Sequence, residues 1–242
     1  MSERSALAVI IGRAGSKGLP GKNAMPIGGA PMIAHSIRHA QQSKTIGRII
    51  VSTDGQMIAD AATAAGAEVI MRPASLATDS ATVDDAVRHA VLASGDVRDI
   101  IVILYANIPV RPPDLIDRAV VELHAHPEAQ SVQSYSDVGK HHPWWMAQLE
   151  GVSDSVRAGR VQAYHPNAVY RRQDLPPLFL PDGGVIAVRR ESLFTVVEGQ
   201  PHAFLGEHRR GIVNPSGAVV DVDTPLDFTV AEAMLQREAR NR

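Results

Sequence analysis

Continuous apolar runs alternate with amphipathic stretches through the first half of the chain. Leu7–Ile11 is an unbroken apolar run, the pattern of a strand covered on both faces. Pro31–Ser43 reads as a helix, Arg48–Thr53 as a second strand, Gln56–Ala65 as a helix and Ala67–Met71 as a third strand. Thr82–Ala93 is helical, Asp99–Leu104 is a fourth strand, and Asp114–Ala125 is a helix following Pro112 and Pro113. This βαβα rhythm predicts an α/β fold, a mostly parallel sheet with helices on both faces. Ligands of such sheets bind at the carboxyl ends of strands.

The rhythm changes after about residue 137. Residues 138–177 carry His141-His142-Pro143, Trp144-Trp145, a Gly-punctuated polar stretch and Arg171-Arg172. They read as a protruding arm or hairpin of a single domain spanning 1–242. The core resumes with strands at Gly183–Arg189 and Ala218–Val222. Thr224 then caps a last helix, with Pro225 at its first position and Asp227 near its positive end.

The chain has 242 residues, 45% of them apolar, and a net charge of -2, which permits a large core and argues against general nucleic-acid binding. It contains no cysteine, so disulfides and thiolate zinc sites are excluded. No signal peptide and no membrane-spanning apolar window is visible, and the cytoplasm is the expected location. Positive charge is concentrated instead in Gly12–Asn23, where four glycines, one arginine and two lysines follow the first strand. Glycines let backbone N–H groups approach phosphate oxygens, and the cations balance charge. The loop is no Walker A sequence, because five residues separate Gly15 from Gly21 and Asn23 replaces the Ser/Thr. Nor is it a dinucleotide fingerprint, since Pro20 follows Gly12, Gly15 and Gly18.

Val219-Val220-Asp221-Val222-Asp223-Thr224-Pro225 is the second informative stretch. Residues two apart on a strand share a face, so Asp221 and Asp223 can converge on one cation. Magnesium takes one or two carboxylates plus substrate phosphates. The alternative is a strand ending in acids that merely cap the next helix.

Arg13, Ser16, Lys17, Gly18, Leu19, Pro20, Lys22 and Asn23 resemble the R-x-x-S-K-G-L/I-P-x-K-N signature of the acylneuraminate cytidylyltransferases, which activate sialic acid and related 2-keto sugar acids. Val220–Phe228 resembles the same family's (I/V)-D-(I/V)-D-T-x-x-D segment, Val51-Ser52-Thr53-Asp54 its V-S-T-D, and Arg72 through Thr82 its R-P-x-x-L-A-x-D stretch beside the cytosine. The likeness runs from Ala8 to about Ala233. It implies a three-layer α/β/α Rossmann-like sheet of the nucleotide-diphospho-sugar transferase type, with CTP and an acidic sugar as substrates. It makes Asp221 and Asp223 ligands of Mg²⁺, and Arg13, Lys22, Asp221 and Asp223 the catalytic set. Nucleotide binding falls to Gly12, Arg13, Ser16, Lys17, Lys22, Asn23, Arg72 and Thr82, with Asp54 supporting the pocket. The arm resembles the family's dimerisation element, which implies a homodimer, and neither a nucleic acid nor a membrane is expected as partner.

On the acceptor side the resemblance points to Tyr105, Asn107, His142 and Arg172. Leu104–Arg111 departs from the family's L-Q-P-T-S-P-x-R, because Tyr105 stands where a glutamine touches the sugar. Leu180 occupies a place that is arginine in some sialate enzymes, and a lost guanidinium removes a bidentate carboxylate partner. The expected reaction is attack of the anomeric hydroxyl of a 2-keto-3-deoxy sugar acid on CTP, giving a CMP-sugar and pyrophosphate. The acceptor is a nonulosonate such as sialic, legionaminic or pseudaminic acid. The alternatives are a 3-deoxy-octulosonate cytidylyltransferase, a sugar-1-phosphate nucleotidyltransferase, and a nucleotide-binding regulatory module without turnover.

Overall fold

Ala6–Ile11 (β1) is buried at every residue, because both its faces carry only apolar side chains and both are covered. Around it the computed structural model, which describes residues 4–15, 19–78 and 80–240, builds one large sheet and two hairpins. Pro26–Ile27 (β2) and Ala30–Pro31 (β3) form the first hairpin. Ile46–Thr53 (β4), Glu68–Met71 (β5), Ile100–Tyr105 (β6) and Ser131–Asp137 (β7) follow. Ala147–Glu150 (β8) and Arg160–Ala163 (β9) form the second hairpin, and Phe179–Arg189 (β10) and Arg209–Asn214 (β11) complete the set. The seven-stranded sheet has the order β11-β7-β10-β6-β1-β4-β5. Every neighbouring pair is parallel except the two made by β10.

The helices are Met32–Gln42 (α1), Gln56–Ala64 (α2), Val83–Ser94 (α3), Leu115–Ala125 (α4), Arg190–Leu193 (α5) and Pro225–Arg240 (α6). Ala8 and Ile10 face Ile33 and Ile37 of α1, Ile58 of α2 and Leu123 of α4. Leu7 and Val9 face the other way, onto Val87 and Val91 of α3 and Leu193 of α5. The period of two in β1 therefore creates the three layers. Each fully buried Leu or Ile contributes about 1.5–3 kcal/mol.

A third apolar cluster positions the acidic segment. Val220 and Val222 pack with Val110, Ile27, Met32 and Ala231 of α6. The strand expected at 218–222 does not form. Val220 makes an isolated antiparallel bridge to Val110, and the Val222 N–H donates to the Asn107 carbonyl at 2.9 Å. The segment is extended but runs beside the loop after β6 rather than along a sheet strand. Because Val220 and Val222 point inward, Asp221 and Asp223 point outward together.

Two sheet strands lay outside the sequence expectation. Ser131–Asp137 alternates small and polar residues, and Arg209–Asn214 is an edge strand with charged residues and a glycine, so neither shows an apolar run. Residues 147–163 form a hairpin whose two strands are exposed at every position.

Candidate active site

The carboxyl ends of β1, β5 and β6 open onto a cleft of about 430 Å³. Gly12, Arg13, Lys22 and Asn23 line it from the loop after β1, Arg72 and Thr82 from the stretch between β5 and α3, and Tyr105, Asn107 and Asp223 from the opposite side. Ser16 and Lys17 lie outside the described residues.

The loop after β1 is held close to the sheet. A Cβ at Gly12 would lie 2.8 Å from the Ala106 Cβ, so only glycine fits there. Asp54 accepts from the Ala14 backbone N–H at 2.9 Å, which makes it a support of this loop. Asn23 is buried and donates through Nδ2 to the Arg13 carbonyl at 2.9 Å, while its Oδ1, at the cleft wall, has no partner among the described residues. Arg13 lies across the cleft mouth, with Nη1 donating to the Thr78 carbonyl at 3.4 Å.

Lys22 joins the two ends of the chain. Its ammonium donates to the Val222 carbonyl at 2.9 Å and forms an ion pair with Asp223, although its stem is buried. The Asn107 amide donates to Asp221 and, at 3.3 Å, to Asp223. One amide thus touches both carboxylates, so the pair converges as the i, i+2 spacing predicted. The Asp221 carboxyl is pushed up to about 6, first because protein crowds it where it does not open to the cleft, and then by the neighbouring Asp223; Lys22 and Arg111 oppose the shift. Among the described residues no group of three or more His, Asp or Glu side chains could hold a metal ion. Two hard carboxylates bridged by Asn107, one of them on a cleft lined with cations, fit Mg²⁺, which takes its remaining ligands from phosphates and water.

The other expected site residues divide. Arg72 lines the cleft, but its Nη2 donates to the Ser52 carbonyl at 2.9 Å and its Nε to Ser52 Oγ at 3.2 Å, so it also braces β4. Burial lowers its pKa. Thr82 lines the same wall and caps α3, accepting from the Asp85 N–H at 3.3 Å and donating to its carboxylate at 2.8 Å. The Tyr105 phenol is held above its ordinary pKa by burial and then by Asp221, so it stays a neutral hydroxyl.

His142 and Arg172 are not brought to the cleft of this chain. His142 is buried at the base of the arm, its Nε2 against the Pro176 carbonyl at 3.1 Å and its Nδ1 accepting from the Trp144 N–H at 3.2 Å. Both ring nitrogens are spent on the backbone. Arg172 sits exposed in a one-turn helix, and Leu180 is exposed on β10. Trp144 stacks on His165 at 5.1 Å and Trp145 donates to the Val169 carbonyl at 3.1 Å, so both tryptophans organise the arm itself.

Sequence reasoning passed over Arg111. Its guanidinium is fully enclosed and donates to the carbonyls of Gly184 at 2.7 Å, Tyr105 at 2.9 Å and Ile108, and to Ser36 Oγ at 2.9 Å. Burial holds its pKa down to about 9, against the pull of Asp221 and Asp182. An arginine after Ile108-Pro109-Val110 was the available signal, since a charge among apolar residues needs a structural reason.

A family model described as cytidylyltransferase matches residues 7–193. The chain belongs to this family. The cytidylyltransferase is 31% identical over 236 residues to the CMP-N,N'-diacetyllegionaminic acid synthase of Legionella pneumophila, covering 95% of this chain and 96% of that protein. It is 32% identical over 224 residues to the N-acylneuraminate cytidylyltransferase of Streptococcus agalactiae serotype III, covering 92% of this chain but 51% of the relative. The chain thus spans about half the length of that relative. In fold it matches a CMP:2-keto-3-deoxy-manno-octonic acid synthetase solved with CTP, with a TM-score of 0.72 at 21% identity over 96% of this chain and 99% of the other. Family and relatives make this chain a nucleotidyltransferase. No helix among the described residues is long and apolar enough to cross a membrane.

Proposed function

We propose that this cytidylyltransferase couples CTP to a 2-keto-3-deoxy sugar acid of the nonulosonate class, releasing pyrophosphate, with Mg²⁺ held by Asp221 and Asp223. The observation that carries the reading is the convergence of Arg13, Lys22 and Asp223 on one cleft, with Asp221 joined to Asp223 through the Asn107 amide. Similarity to a CMP-legionaminic acid synthase over nearly the full length of both chains supports the acceptor class.

The anomeric hydroxyl of the acid attacks the α-phosphorus in line. The new O–P bond forms as the bond to pyrophosphate breaks, the electron pair leaves with pyrophosphate, and the hydroxyl proton passes to water. Such chemistry is chiefly positioning and charge neutralisation. Arg13 and Lys22 face the triphosphate and stabilise the charge that builds on the leaving group. Gly12 lets the backbone approach the phosphates. Arg72 and Thr82 form the wall beside the base, and Tyr105 and Asn107 face the acceptor. Asp221 and Asp223 would hold Mg²⁺, which would supply Lewis acidity for the attack on the α-phosphate.

A homodimer completes the reading. The β8–β9 hairpin exposes Leu149, Val161 and Tyr164, a surface suited to a second copy of the chain. The reading includes a cytoplasmic setting, which suits a cysteine-free chain and a nucleotide substrate.

Pyrophosphate release from CTP against a panel of sugar acids tests the proposal. Release dependent on a nonulosonate is expected. Release only with an octulosonate, or only with sugar phosphates, would overturn the acceptor assignment.

A further inference from the structure

The Lys22 ammonium does not point freely into the cleft. It is paired with Asp223 and bonded to the Val222 carbonyl, while the Asn107 amide bridges Asp221 and Asp223. The lysine side chain is only 10% exposed, whereas that of Asp223 is 65% exposed. The acid therefore opens toward the cleft, and the cation reaches it from the protein side. A positive charge and an N–H donor of this chain thus hold the two carboxylates together.

From this we infer that Lys22, besides meeting the triphosphate, makes metal binding contingent on the nucleotide. Its ammonium occupies the neighbourhood that a divalent cation bound to Asp223 must share, and two cations at such a separation repel strongly in a partly buried site. A triphosphate entering the cleft offers Lys22 a more highly charged partner. The lysine turns from Asp223 to the phosphates, and the freed carboxylate accepts the cation that arrives with them. One side chain thus serves two anions in turn, and the nucleotide and the metal assist each other's binding. The inference rests on the proposed metal role of Asp221 and Asp223, but its test needs neither turnover nor an acceptor.

The measurement is Mn²⁺ binding to nucleotide-free protein, read from the paramagnetic resonance signal of free Mn²⁺. Lys22→Met keeps the buried stem and removes the charge. It is expected to bind Mn²⁺ at least about tenfold more tightly than wild type. Lys22→Gln retains a donor for the Val222 carbonyl and serves as a second neutral variant if methionine impairs folding. Lys22→Arg keeps the charge and should stay as weak as wild type. Adding Asp223→Asn to Lys22→Met should abolish the gain, which locates the ion. A merely structural or phosphate-binding lysine predicts no gain in metal affinity, so equal or weaker binding by the neutral variants overturns the inference. If they show no gain while Asp223→Asn still weakens Mn²⁺ binding, the metal site stands and the coupling falls. If no form binds Mn²⁺, even with CTP present, the metal assignment fails as well.

Discussion

Lys22 and Asp223 meet across 201 residues of sequence, and each is assigned charge work in the transition state. Removing one such donor typically lowers turnover by about 10²–10³-fold. Lys22→Ala and Asp223→Asn are each expected to fall at least that far in steady-state pyrophosphate release, with folding intact by circular dichroism. Near-wild-type turnover in either would remove its assigned role. Gly12→Ala tests the phosphate approach, because its added methyl must push against Ala106 at 2.8 Å. Overpacking of this kind costs about 1–3 kcal/mol, visible in urea denaturation, and CTP affinity should drop with it. At this scale the sequence showed the alternation of Val220, Asp221, Val222 and Asp223, because a period of two is a local property. It could not show that Lys22 is paired with Asp223 or that Asn107 bridges the acids, because those contacts depend on tertiary placement. The resemblance pointed His142 at the acceptor, and the fold of this chain adds that backbone groups occupy both its ring nitrogens.

The helix that follows the acidic pair is fixed at its start. Thr224 accepts from the Asp227 N–H at 3.3 Å, and the Asp227 carboxylate accepts from the N–H groups of Asp223 and Thr224 at 3.2 and 2.8 Å. This reciprocal capping pins the backbone of Asp223 as well as the end of α6. Asp227→Ala should cost about 1 kcal/mol in chemical denaturation and also weaken Mn²⁺ binding, although Asp227 is not a proposed ligand. Unchanged Mn²⁺ affinity would show that Asp223 needs no such support. Elements with buried faces were legible in the sequence: β1, β4 and β6 have apolar stretches because helices cover them. β7 and β11 were not, because Gln133, Ser134 and Arg209 satisfy a strand that leans on neighbouring strands rather than on its own hydrophobicity.

Across the whole molecule, buried histidines set a dependence on acidity. Burial, with the Arg111 guanidinium second, lowers His39 from 6.5 to about 3, so the folded protein keeps it neutral. The unfolded chain binds the extra proton between those values, so stability must fall as pH drops from about 6.5 toward 3. His35 is shifted in the same direction, mainly by burial. His39→Leu should therefore lose less stability than wild type between pH 7 and pH 5 in urea titrations. An unchanged slope would show that other groups carry the acid sensitivity. If the proposed homodimer forms through the exposed hairpin, removal of residues 147–163 should leave a monomer in light scattering. A dimer that persists without the hairpin would move the subunit contact elsewhere.

All the strands of the large sheet precede Pro215, yet the carboxylates that complete the cleft come later. Asn107 leaves the ribosome 114 residues ahead of Asp221, an interval of roughly 6–23 s at the usual speed of synthesis. During that interval the nascent sheet can pair and bury its core, but it offers a nucleotide cations without their acidic counterpart. The early stages of assembly therefore lack a complete site for substrate. The full set of charges exists only once the later-made segment has threaded back beside Asn107, so the cleft reports on that step of folding.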